Sequence, residues 1–145
     1  MSALYSQDIL RLATSIPYLG RLAGAQASVE RRSPVCGSRI TVDIVLGSDG
    51  TVAAIGLAPN ACALGQAATA LLGQSVLGKM PRELAEARDA LTDWLALKRP
   101  DAGDWPGLAV FLPALAYTGR HAAIRLPFEA AAEAAASAQA EAASQ

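Results

Sequence analysis

Two β-prone runs, Ile40-Thr41-Val42-Asp43-Ile44-Val45-Leu46 and Thr51-Val52-Ala53-Ala54-Ile55-Gly56-Leu57-Ala58, are separated only by Gly47-Ser48-Asp49-Gly50. So short a connection, built from turn residues, favours antiparallel pairing in a hairpin. Ile40, Val42, Ile44 and Leu46 then share one face of the first strand, and that face is expected to be buried. With Leu46 facing Thr51, the ladder carried back sets Cys36 opposite Ala61, one residue from Cys62. The two thiols of the chain are thus expected at the same end of the hairpin.

What such a pair does depends on its compartment. The start, Met1-Ser2-Ala3-Leu4-Tyr5-Ser6-Gln7-Asp8, has neither the basic and apolar regions of a secretory signal nor the arginine-rich pattern of a transit peptide. A reducing cytoplasm is the expectation, with free thiols suited to metal, sulfur-transfer or redox chemistry. The 145 residues fit one domain able to bury a core without staples. Their 52% hydrophobic share is inflated by alanine, above all after Glu129. No uninterrupted apolar run approaches the roughly 20 residues a spanning helix needs, so no membrane role is expected. A net charge of −1 with scattered basic residues offers no footprint for nucleic acid. No Ser-His-Asp order, Gly-rich phosphate loop or His-x-x-x-His pair is present. Binding is therefore expected before catalysis.

The remaining elements follow from periodicity. Ile9, Leu10 and Ala13 predict a helix over Ser6 to Thr14, stopped by Pro17 and Gly20, and the polar stretch from Gly24 to Ser33 reads as loop or edge strand. Asn60 is a good N-cap for a helix carrying Leu64, Ala67, Ala68, Leu71, Leu72 and Val76, with Gly78 as its C-cap and Lys79 beside the helix end. Cys62 then falls in the first turn, where the helix dipole and free N–H groups favour a thiolate. Pro81 opens a further helix with Leu84, Ala87, Leu91, Trp94 and Leu95 on one side, ending before Pro100. Leu108 to Leu112 reads as one or two helical turns, and Trp94 and Trp105 as packing residues. A last helix starts near His121, with Pro127 tolerated only in about its first turn. The alanine-rich residues 131–145 read as a frayed helical extension of a domain spanning 1–130.

Ser33-Pro34-Val35-Cys36-Gly37 before the hairpin, Ala61-Cys62-Ala63 after it, Leu77-Gly78-Lys79, and the stretch from Gly119 to Phe128 resemble the iron-sulfur cluster assembly scaffolds of the IscU, SufU and NifU N-terminal type. The resemblance implies a small α+β fold, with an antiparallel three-stranded sheet packed by several helices. It also implies a site of three cysteines and an aspartate that binds a [2Fe-2S] cluster or, in the SufU branch, zinc. Cys36 and Cys62 take the first two ligand positions, while Ser38 stands where the aspartate would be. Anchoring on Leu126-Pro127-Phe128 puts Ala123 at the third cysteine. Matching the His-Cys pair of the IscU branch puts His121 on the histidine and Ala122 on the cysteine.

The candidate ligands for iron, a [2Fe-2S] cluster or zinc are therefore Cys36, Cys62 and His121, three where four are usual. Arg39 and Arg120 flank the presumed site and suit thiolate or sulfide charge. The resemblance implies cysteine desulfurase and other iron-sulfur assembly proteins as partners, for a monomer or homodimer. Two further readings stay open: a persulfide relay through Cys62, with zinc, and a cofactor-free paralogue that keeps only the partner-binding surface.

Overall fold

The computed structural model describes residues 3–34 and 37–144. Chain order is α1 (Gln7–Ala13), β1 (Ala27–Arg32), β2 (Arg39–Leu46), β3 (Val52–Asn60), α2 (Ala63–Ser75), α3 (Pro81–Leu95), a 3-10 helix (Leu108–Ala116) and α4 (His121–Ala143), with single 3-10 turns at Ala3–Tyr5 and Thr118–Arg120. The strands form an antiparallel sheet in the order β1-β2-β3. Helices pack against it, as expected for an α+β fold.

Ile40, Val42, Ile44 and Leu46 are buried as the alternation requires. The register is corrected. Ile44 pairs with Ile55 and Arg39 with Asn60, two residues beyond the expected partners, and a bulge after Val45 brings Leu46 opposite Val52. Asp49 causes this. Its Oδ1 accepts from the Thr51 N–H at 3.0 Å and from the Thr51 hydroxyl at 2.8 Å, while the Gly47 N–H donates to Thr51 O at 2.8 Å, so Thr51 stays in the loop. A two-residue shift leaves every side chain on its face, which is why burial was legible where register was not.

The alanine-rich end is also corrected. The helix does not fray after Glu129: α4 runs to Ala143, and Ala130, Ala131, Ala132, Ala134, Ala135 and Ala138 are buried. It packs against β1 and β2, with α2 and α3 beside it. A helix enclosed on several sides needs small residues all round, and alanine supplies them at no loss of helix propensity. Pro127 lies in the second turn, not the first. It has no N–H to donate to Ala123 O, which lies 3.3 Å from where a Cβ on Gly65 would stand.

Three other boundaries differ from expectation. Asn60 ends β3, and the N-cap of α2 is Cys62. Gly78, at φ 85°, lies beyond the end of α2 and donates its N–H to Val52 O, so it tethers the α2–α3 connection to β3. The piece after Leu108 extends to Ala116, through Pro113. The tryptophans pack as expected: Trp94 and Trp105 are buried, the Trp105 indole N–H donates to Leu71 O at 2.9 Å, and its ring meets Phe128 edge-on at 5.4 Å.

Helix α3 stops with the Leu97 N–H donating to Trp94 O and the Lys98 N–H to Asp93 O, which sets Leu97 at φ 62°. Glycine is the usual residue at this left-handed position. A side chain there costs roughly 1–2 kcal/mol.

Candidate metal and sulfur site

The hairpin carries the chain out of β3 toward α2 at the end of the sheet where β1 turns into β2. That turn, from Ser33 to Ser38, is closed by the Ser33 N–H donating to Ser38 O at 2.7 Å, and both serines are buried. Cys36 lies outside the described residues, so its expected approach to Cys62 is not described. Gly37 follows it at φ 72°, a conformation that glycine adopts without strain. Across the ladder from Arg39 stands Asn60, two residues before Cys62.

Cys62 is half-buried with a free thiol, and it occupies the N-cap in extended backbone (φ −67°, ψ 173°). Its side chain makes no capping bond, in contrast to Ser6, whose Oγ accepts from the Ile9 N–H at the start of α1. The sulfur is therefore not committed to the helix it precedes. Its carbonyl accepts from the Gln66 N–H, and the Gln66 side chain donates to Ala61 O at 3.0 Å, fixing the approach to α2.

One turn further on, Gly65 lets α4 come close. A Cβ on Gly65 would lie 3.6 Å from Ala123 Cβ and 2.8 Å from Ala61 Cβ. Ala123 thus packs against the first turn after Cys62 and is fully buried. This contact favours Ala123 over Ala122 as the place of a third cysteine.

His121 opens α4 and is buried. Its Nε2 lies 2.9 Å from Ala114 O, and because a carbonyl only accepts, Nε2 carries the proton. That tautomer has Nδ1 as its acceptor nitrogen, the arrangement in which a metal-binding histidine is held by a backbone carbonyl. Among the described residues, no three His, Cys, Asp or Glu side chains come together as a metal site. Arg39 and Arg120 are exposed, and the Arg39 charge is among those that hold the Glu30 carboxyl below its usual range, after Arg32. Lys79 does not cap α2. Its Nζ lies 4.0 Å from Glu83 Oε2 and 5.5 Å from the centre of the Trp105 ring.

Sequence reasoning missed a buried carboxylate behind the sheet. Asp43 faces away from the helices, yet its side chain is fully buried under the segment from Tyr18 to Leu22. It accepts from Arg21 Nε at 2.7 Å and Nη2 at 3.2 Å, from the Leu22 N–H at 2.9 Å and from the Ser28 hydroxyl. Burial pushes its carboxyl up, but the hydrogen bonds from Arg21, Ser28 and Leu22 outweigh it and hold the group below the usual carboxylate range. Gly56 lets the covering segment approach, since a Cβ there would lie 2.8 Å from Gly20 O. The clue in the sequence was a carboxylate in the middle of a strand whose partner precedes it by 22 residues.

No family sequence model matches the chain, and no curated protein does. Among solved structures, the N-terminal part of a nitrogen-fixing NifU-like protein from Brucella abortus has a TM-score of 0.89 and 32% identity, with 96% of each chain covered. The chain belongs to the NifU-like N-terminal family. The NifU-like fold is shared at lower identity by a putative iron-sulfur cluster assembly scaffold protein for the SUF system from thermophilic Fervidobacterium islandicum AW-1 (TM-score 0.83, 20% identity, covering 91% of this chain and 96% of that one). A hypothetical protein shares it too (TM-score 0.78, 22% identity, covering 94% and 99%). No helix among the described residues is long and apolar enough to cross a membrane.

Proposed function

We propose that this chain is an iron-sulfur assembly scaffold that carries iron or a labile [2Fe-2S] cluster as cargo, held by Cys36 and Cys62 with His121 as a third ligand through Nδ1. The observation that carries the reading is the half-buried Cys62 thiol, uncommitted to its own helix and one turn from the α2–α4 contact. Three protein donors leave one position of a four-coordinate site for a partner or small ligand, which suits cargo that must be released. The role is one of binding rather than turnover, with a cysteine desulfurase as the source of sulfur.

Anaerobic reconstitution with ferrous iron and sulfide tests it. The expected product has visible charge-transfer absorbance, acid-labile sulfide, and rapid bleaching by a chelator. Folded protein that gains neither iron nor sulfide overturns the reading.

The same uncommitted thiol supports a second reading, a sulfur relay. The Cys62 thiolate attacks the outer sulfur of a desulfurase persulfide, the new S–S bond forms on Cys62, and the desulfurase thiolate leaves. Intact-mass measurement after incubation with desulfurase and cysteine is expected to show one added sulfur atom, absent in Cys62→Ser. No adduct on the folded wild-type chain removes this second reading.

A further inference from the structure

Helices α1, α2 and α3 start in three different ways. Ser6 caps α1 directly, its Oγ accepting from the Ile9 N–H at 3.3 Å. Met80 stands before α3, and Glu83 reaches back from the first turn to accept from its N–H at 2.9 Å. Cys62 makes no capping bond to α2, and here the side chain that reaches back is Gln66, whose amide donates to Ala61 O at 3.0 Å. Each start is thus fastened by a side chain, from the N-cap in α1 and from within the helix in α2 and α3.

At α2 the grip closes on Cys62 from both sides. The Gln66 side chain holds Ala61 O, in the peptide group before the Cys62 Cα, and the Gln66 N–H donates at 2.9 Å to Cys62 O, in the peptide group after it. Gly65 adds the space this needs: a Cβ there would lie 2.8 Å from Ala61 Cβ, so its absence lets Ala61 fold back over the first turn. With both flanking peptides held, the extended backbone of Cys62 is fixed without help from its own side chain. A serine at this position would accept from a first-turn N–H as Ser6 does, and a sulfur engaged in that way would be less free to bind anything else.

We propose that Gln66 is a positioning residue for Cys62: it grips the two peptide groups beside the cysteine, supplies the fastening that the N-cap side chain withholds, and so leaves the sulfur uncommitted. The use of that sulfur for cargo rests on the reading of Cys62 as a ligand, whereas the fastening itself does not.

A double-mutant cycle on the metal-free chain, followed by denaturant unfolding, tests the fastening. Gln66→Met keeps much of the shape and loses the donor, and it is expected to lower the folding equilibrium constant about fivefold, the net worth of one hydrogen bond. In Cys62→Ser, where a hydroxyl restores the cap, the same substitution is expected to cost less than about twofold. Equal losses in the two backgrounds overturn the proposal.

Retention of a reconstituted cluster tests the positioning. Gln66→Met and Gln66→Glu both lose the amide donor, and each is expected to bleach with a chelator about fivefold faster than the wild type. A carboxylate near the helix start favours α2, so Gln66→Glu stays closer to wild-type stability and separates positioning from stability. Bleaching that tracks stability instead, fast in Gln66→Met and at the wild-type rate in Gln66→Glu, overturns the positioning role, as does the wild-type rate in both. A wild type that assembles no cluster overturns the cargo reading, and the unfolding cycle then decides the fastening alone.

Discussion

Asp43→Asn is expected to lower stability by about 3 kcal/mol, measured as a shift in denaturant midpoint near neutral pH. The carboxylate has no solvent exposure and holds Arg21, Ser28 and the Leu22 N–H together. An amide keeps the shape but offers fewer acceptor sites to the same donors and presents an NH2 group to some of them. Arg21 is 64% exposed and can rehydrate, so the loss falls mainly on the buried Leu22 and Ser28 donors and on the Tyr18–Leu22 segment they anchor.

The acid dependence has a fixed sign. Because the folded state holds the Asp43 carboxyl below its ordinary value, the unfolded chain takes up the proton first. Its contribution is complete above about pH 4 and is lost as pH falls further, through the lowered value. Asp43→Asn should flatten the stability profile in that window while the wild type declines. Equal profiles would show that the clamp does not couple to folding.

Much of the architecture was legible because it rests on patterns that a local reading captures. The alternation in β2 and the proline that opens α3 each carry their own instruction, and the structure obeys both. What escaped depends on partners distant in sequence. Alanines after Glu129 look unpackable until α2, α3 and the sheet enclose them, when their small size becomes the reason they fit. The hairpin register turned on the Asp49–Thr51 bonds, a side-chain effect that the turn residues alone do not specify. Asp43 looked like an ordinary outward-facing residue because the segment that covers it comes from before β1.

The candidate site was legible to a different degree. The resemblance brought Cys36, Cys62 and His121 forward and left two alignments for the third cysteine. Only the Gly65–Ala123 contact bears on that choice, and no periodicity in either helix encodes a contact between residues so far apart. The hydrogen bond from His121 to Ala114 was likewise invisible, since it joins α4 to a 3-10 helix whose extent the sequence understated.

That contact sets up the last expectation: Ala123→Cys should slow loss of a reconstituted cluster to a chelator by at least about tenfold, equivalent to about 1.4 kcal/mol. A thiolate there adds a fourth protein donor beside the first turn after Cys62, and sulfur is the donor that iron and zinc sites of this kind favour. The added sulfur enters a packed α2–α4 contact, so some loss of fold stability is expected with the gain in cluster retention. Ala122→Cys leaves the wild-type bleaching rate unchanged, because residue 123 is the one packed against Gly65. Cys62→Ser gives the opposite result, with visible absorbance failing to develop during reconstitution. Bleaching at the wild-type rate by a folded Ala123→Cys variant would mean that cargo sits elsewhere than between α2 and α4. A Cys62→Ser variant that still assembles a cluster would mean that the thiol at the N-cap is not its ligand. If both expectations hold, the alanine at position 123 is what makes this member of the family a weak holder, and a single side chain separates transient cargo from retained cofactor.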